Sequence, residues 1–166
     1  MKINIADFLT ALEEETYAAT SGITTFDELT ADPAMIMTGS LAFAQEQLQD
    51  GKLVQTRFDV TGYHDEPINI RLESSVINLP FAYAKEIDKM LDSDEEREVN
   101  LYLIFDSPAI NVSKMRIDLI SSVQAFLDDP ETVAERVTDW VREQLNQLAQ
   151  RAAAAEEADT DEPEAD

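Results

Sequence analysis

A single histidine is the natural first place to look for acid–base chemistry. His64 stands in Gly62-Tyr63-His64-Asp65-Glu66-Pro67, beside two carboxylates. An imidazole titrates near neutral pH, and a carboxylate can orient it as a general base or a metal ligand. Adjacent residues of a turn do not converge on one point, however, and the chain has no second histidine. The group reads as an exposed turn. Asp92-Ser93-Asp94-Glu95-Glu96-Arg97-Glu98 has the composition of a calcium loop. An EF-hand loop starting at Asp92 needs Gly at its sixth position and Glu at its twelfth. Arg97 and Leu103 stand there, so a solvated acidic turn is the better reading.

Other reaction centres find less material. Gly39-Ser40 lacks the flanking glycines of a nucleophile elbow. Four glycines in the whole chain leave little for a backbone phosphate cradle, and neither a Walker loop nor a dinucleotide fingerprint is present. With no cysteine, disulfides, thiolate catalysis and cysteine–zinc sites are excluded. Asn111-Val112-Ser113 matches a glycosylation sequon but falls in a strand pattern. The 35 acids always offer pairs for hydrolytic chemistry, yet nothing localises one. The sequence therefore names no catalytic, cofactor-binding or metal residue, and an enzyme is the less favoured class.

Charge is the unusual feature. Twelve Lys and Arg face 35 Asp and Glu, a formal net of −23. Residues 1–50 hold one base and nine acids (−8), residues 51–120 eight and thirteen (−5), residues 121–166 three and thirteen (−10). Such a chain cannot supply the cation cluster that nucleic acid or anionic lipid requires. Acidity of this kind maintains solubility, attracts a basic partner or imitates nucleic acid. Apolar runs stay far below the roughly 18 residues of a membrane span. Asp7 interrupts the place where a signal peptide's apolar stretch would continue, so neither secretion signal nor anchor is expected.

The elements follow from period. Phe8, Leu9, Leu12 and Tyr17 suggest a helix over 5–18, stopped by Ser21-Gly22. Residues 23–32 read as a loop. Asp32-Pro33 is a helix start, and Asp50-Gly51 its end. Val54, Thr56, Phe58 and Val60 alternate with polar residues and predict a strand over 53–61. In residues 68–79 the apolar phase flips near Ser74-Ser75, which marks a bulge or a break. Pro80 opens a helix through Leu91, and Asp92–Glu98 is a turn. Val99–Phe105, almost wholly apolar, is the candidate central strand. Ile110 and Val112, then Met115, Ile117 and Leu119, predict another strand with a second phase flip. Asp129-Pro130-Glu131 starts a long helix whose Val133, Val137, Trp140, Val141, Leu145 and Leu148 fall on one stripe. Arg136 and Arg142 stand three residues from Asp139, within reach of an ion pair. Residues 156–166 carry seven acids and no large apolar group.

These elements predict an α+β two-layer fold: a mainly antiparallel sheet of about four strands, N-terminal helices, one helix between strand pairs and a long C-terminal amphipathic helix. One domain spans 1–152, followed by a disordered acidic tail over 153–166. In composition the tail resembles those of single-strand-binding proteins, which typically end in a Phe-bearing tip. This one ends Glu164-Ala165-Asp166, so that docking role is not carried over. Leu79-Pro80-Phe81-Ala82-Tyr83-Ala84-Lys85-Glu86 is similar to a short Pro-aromatic-Tyr-Ala-basic stretch of SecB export chaperones. Fewer strands precede it than in that family and a long helix follows, so the family's properties are not carried over either.

The stripe Val133, Val137, Trp140, Val141, Leu145 and Leu148 has two uses: packing the last helix on the sheet, or forming a candidate interface with an aromatic anchor. The leading expectation is a non-enzymatic, acidic protein-binding domain of the cytoplasm, as an adaptor, assembly factor or holdase-like chaperone. Its partner would be a protein, basic by preference, or a second copy in a homodimer. No cofactor, direct nucleic-acid contact or membrane is expected. The alternatives are a structural subunit of a larger assembly, such as a virion or secretion machine, and a nucleic-acid mimic that inhibits a DNA-binding protein.

Overall fold

Alternating apolar residues build the middle of the sheet, and helices of longer period close over one face of it. The computed structural model describes residues 1–63, 67–84, 91–107 and 114–161. In chain order these form β1 (Lys2–Asn4), α1 (Ile5–Glu13), β2 (Ala18–Thr25), α2 (Phe26–Ala31), α3 (Pro33–Gln49), β3 (Val54–Thr61), β4 (Ile68–Ser75), α4 (Phe81–Ala84), β5 (Glu96–Glu98), β6 (Asn100–Ser107), β7 (Lys114–Ser122), α5 (Val123–Asp128) and α6 (Pro130–Asp161). The main sheet has the order β2-β3-β4-β6-β7, and β1 pairs with β5 in a separate ribbon. The class is α+β. Pairing is antiparallel from β3 to β7, while β2 lies parallel to β3. The α2–α3 segment makes that parallel connection, as such a pair requires a crossover.

The fifth strand corrects the sequence reading. Residues 18–25 were expected to end a helix and enter a loop, yet they form β2. Their side chains are small and polar, so no period-two apolar signal marks them. β-branched Thr and Ile are the weak signal that is present. Gly22 has a packing reason: it sits opposite Phe58, and a Cβ there would come within 2.8 Å of the ring. The expected loop then yields α2, whose Thr25 cap accepts the Glu28 N–H at 3.1 Å.

Other boundaries follow their caps. Asp32 accepts the Met35 N–H at 3.1 Å and opens α3 with Pro33. Gly51, at φ 79°, ends that helix in the left-handed region. The helix expected over 5–18 stops at Glu13. The phase flip after Leu72 is a break, because β4 ends at Ser75. The strand chosen as central, β6, lies between β4 and β7, and β4 is the middle of the sheet. Both are interior strands, which explains why Leu101 to Phe105 are buried without interruption. The helix expected after Pro80 is seen as α4, and residues 85–90 lie outside the described residues. α6 extends to Asp161, into the segment that composition assigned to a tail; residues 162–166 lie outside the described residues.

One apolar core joins the elements. The inner sheet face offers Val54, Val60, Ile68, Ile70, Leu72, Leu101, Leu103 and Phe105. α3 contributes Met37, Leu41, Ala44 and Leu48, and α6 its whole stripe. α1 and α4 close one end, where the Phe8 and Phe81 rings meet edge-on at 6.2 Å.

Because Gly22 makes room for a ring, Gly22→Val should lower stability by about 1–3 kcal/mol through overpacking. Combining it with Phe58→Leu should recover part of that loss. Chemical denaturation of the two single variants and the double variant gives the coupling, and purely additive effects would rule out this contact as the cause.

Candidate functional site

The interface residues chosen from the sequence are in the core. Val133, Val137, Trp140, Val141, Leu145 and Leu148 are all buried. The stripe packs on α3, α5 and β7, so the packing use of it is the one this fold makes. The Trp140 ring meets Phe105 edge-on at 6.4 Å, and its indole N–H donates to the Asp118 carboxylate on β7. The Tyr63 hydroxyl donates to the Leu148 carbonyl at 3.0 Å. These polar tips find partners while their rings stay dry, as buried Trp and Tyr generally do. Arg142 reaches Asp139 at 3.4 Å, whereas Arg136 turns to the Ile120 carbonyl at 3.4 Å.

The remaining sequence candidates do not converge. His64 and Asn111–Ser113 lie outside the described residues. Ser40 is buried within α3. Asp92 accepts the Asp94 N–H at 3.0 Å and so closes its own turn. Residues 96–98 continue as β5. Among the described residues, no three His, Cys, Asp or Glu side chains are grouped to hold a metal ion.

The outer sheet face carries the most distinctive chemistry. Three rows cross it by strand register: Gln55–Glu73–Tyr102–Leu119, Arg57–Arg71–Ile104–Ile117 and Asp59–Asn69–Asp106–Met115. Each row is polar on β3 and β4. On β6 and β7 two rows become apolar throughout, and the third ends in Met115 after Asp106. Arg57 and Arg71 face each other across strands, an unfavourable like-charge pair. Each is neutralised elsewhere, Arg57 by Asp59 at 3.0 Å and Arg71 by Asp106 at 3.6 Å. The first pair is exposed and contributes little; the second is half-sheltered.

Glu73 lies in the first row and is wholly buried. Its carboxylate accepts the Phe81 N–H at 3.0 and 3.2 Å and the Gln55 amide at 3.3 Å. Burial raises its pKa above the ordinary carboxylate range, and the Phe81 bond, Arg71 and Gln55 oppose that shift. A buried acid of raised pKa is what a general acid requires. Here it is tied to the start of α4, and its neighbours in the row are Gln55 and Tyr102. Its evident work is to hold Phe81 against Tyr17 and Phe8. Two buried atoms nearby, Arg71 Nε and Asn69 Oδ1, have no hydrogen-bond partner among the described residues. The sequence showed Arg71 and Glu73 only as polar positions of an alternating strand. Two opposite charges two residues apart, in the strand before an apolar one, were the available signal.

At the β7 end the same face is apolar and open. Met115 is 39% exposed and Leu119 57%, with Ile117 half-buried between them. Among the described residues β7 pairs only with β6 and forms the sheet's edge. Its alternation predicted a strand and named neither face as the core side. The structure turns Met115, Ile117 and Leu119 outward and gives the inner side to Arg116 and Asp118. A register shift opposite Leu101/Tyr102 leaves Ile120 as the extra residue, and Ile120 packs on the core. A concavity of about 340 Å³ lies between α3 and α6, lined by Thr38, Leu41, Thr138, Glu135 and Asp139. It is shallow in chemistry, with two acids and no base.

No family model, curated protein or solved structure matches the chain.

The pKa of Glu73 makes stability pH-dependent in a definite sense. Between the ordinary carboxylate range and the raised folded value, the folded state holds a proton that the unfolded state has lost. Stability due to this group therefore falls as pH rises through that window, and is flat above it. Glu73→Gln, which retains an oxygen for the Phe81 N–H, should remove this slope. Denaturation midpoints measured from about pH 4 upward should show the variant gaining on the wild type as pH rises. Parallel profiles would contradict the assignment.

Proposed function

We propose that this chain is a non-enzymatic, acidic protein-binding domain acting in the cytoplasm as an adaptor or assembly factor, and that its docking surface is the β7 edge. The observation that supports this is the apolar ridge Met115–Ile117–Leu119, open at Met115 and Leu119, on an edge strand. Natural sheets usually protect such edges, because free N–H and C=O groups recruit other strands. A partner that adds an extended segment here would gain main-chain hydrogen bonds. It would also cover the ridge with alternate side chains.

The surroundings favour this use over catalysis. The buried acid is occupied by helix α4, and the ion pairs of the outer face neutralise one another. Among the described residues no helix is long and apolar enough to cross a membrane. The net charge of −23 supports solubility and disfavours nucleic acid as the ligand of this edge.

Leu119→Glu tests the surface without touching the core, since Leu119 is exposed. The tagged wild type should retain a protein from its native host through high salt, and the variant should lose it, as read by mass spectrometry at low and high salt. Retention that ignores Leu119 and collapses with salt would instead favour nucleic-acid mimicry by the acidic surface, because exposed charges are screened within about 8 Å at physiological ionic strength.

A further inference from the structure

The residues of β7 are complementary to themselves. An antiparallel copy of the strand, centred on Ile117, places Met115 opposite Leu119 and Arg116 opposite Asp118. Directly opposed side chains lie on the same face of an antiparallel pair. The ridge therefore meets the ridge on the outer face, and Arg116 meets Asp118 twice on the inner face. We infer that the β7 edge joins a second copy of this chain, with a two-fold axis at Ile117 that makes one continuous ten-stranded sheet from the two five-stranded ones. This rests on the docking role proposed for the same edge.

Charge favours this occupant and this place. Two chains at −23 repel over most of their surfaces. From Met115 to Leu119 the strand holds one base and one acid, so the repulsion is locally absent. Among the described residues Arg116 has no ion-pair partner, although the chain carries 35 acids. Asp118 is exposed, and Trp140 engages only its Oδ2, leaving Oδ1 for an incoming guanidinium. A two-fold pairing also closes on itself. A head-to-tail pairing of β7 with the other edge, β2, would propagate into a filament. β2 offers no complementary charge, since Ala18–Thr25 contains none.

The test is a pair of opposite charge changes. Arg116→Asp alone sets acid against Asp118 at both symmetric contacts, and Asp118→Arg alone sets base against Arg116. Mixed, the two variants restore both attractive pairs. Sedimentation equilibrium should find the wild type at twice the 18.6 kDa of the chain. Each variant alone should dissociate at least about tenfold more readily, equivalent to about 1.4 kcal/mol. The equimolar mixture should return to the double mass. Circular dichroism confirms that each variant is folded. Should Asp118→Arg fail to fold for want of its Trp140 bond, Leu119→Glu serves as the second dissociating variant, and Arg116→Asp must still be monomeric. A monomeric wild type, a dimer indifferent to Arg116→Asp, or a mixture of folded variants that stays monomeric would overturn the inference. A monomeric wild type whose host partner still depends on Leu119 leaves the docking surface standing without self-pairing. One whose partner ignores Leu119 removes both.

Discussion

Closure of α6 over the inner face of the sheet is the contact on which the rest of the molecule depends. Val133, Val137, Val141, Leu145 and Leu148 are buried there together with Trp140. Full burial of a side chain of this kind contributes about 1.5–3 kcal/mol, an upper value because unfolded chains already bury some surface. The same helix covers Phe105 and ties Asp118 of the edge strand through the indole N–H. It also supports α3, which carries the parallel connection from β2 to β3. Without α6, each of α3, α5 and β7 would lose a packing partner.

That closure decides which side chains of α6 are left to meet water. Once the aromatic stripe lies inside, α6 keeps mainly polar and charged side chains for its outer surface. On the outer sheet face open apolar groups remain at both edges, Ile23 on β2 and Met115 and Leu119 on β7, while Met35 is open on α3. Across this face the polar residues of β3 and β4 give way to Tyr102, Ile104, Ile117 and Leu119. β4 is the middle strand of the sheet, and its residues from Ile70 to Ser75 are buried on both faces. This explains how Arg71 and Glu73 come to be buried on β4, and why Glu73 must bind the start of α4. A buried charge without such partners would be strongly destabilising.

The acidity has a different role from the fold. Acids are abundant at the ends of helices and on exposed turns. Asp32, Asp129 and Asp92 each accept backbone N–H groups there. At Asp129 the bonds from Thr132 lower the carboxyl pKa, as expected of a helix cap. Such local work accounts for a few acids. The remainder give the surface a strong negative charge, which disfavours association with other anions.

Local chemistry determined a good part of this protein from sequence alone. Capping and proline placement located the starts of α3 and α6, Gly51 ended α3, and period located β3, β6 and the buried stripe. These signals are carried by neighbouring residues, so no knowledge of the rest of the chain is needed. The α+β class followed from them. Tertiary structure alone decided the remainder. β2 is a strand because β3 accepts its small side chains in parallel and Gly22 admits the Phe58 ring. The stripe is core because α3, α5 and β7 meet it. Met115, Ile117 and Leu119 face outward because β7 is an edge strand whose inner side is governed by Asp118 and Trp140. Alternation shows that a strand has two unlike faces. Only the packing of the other elements determines which of them meets water.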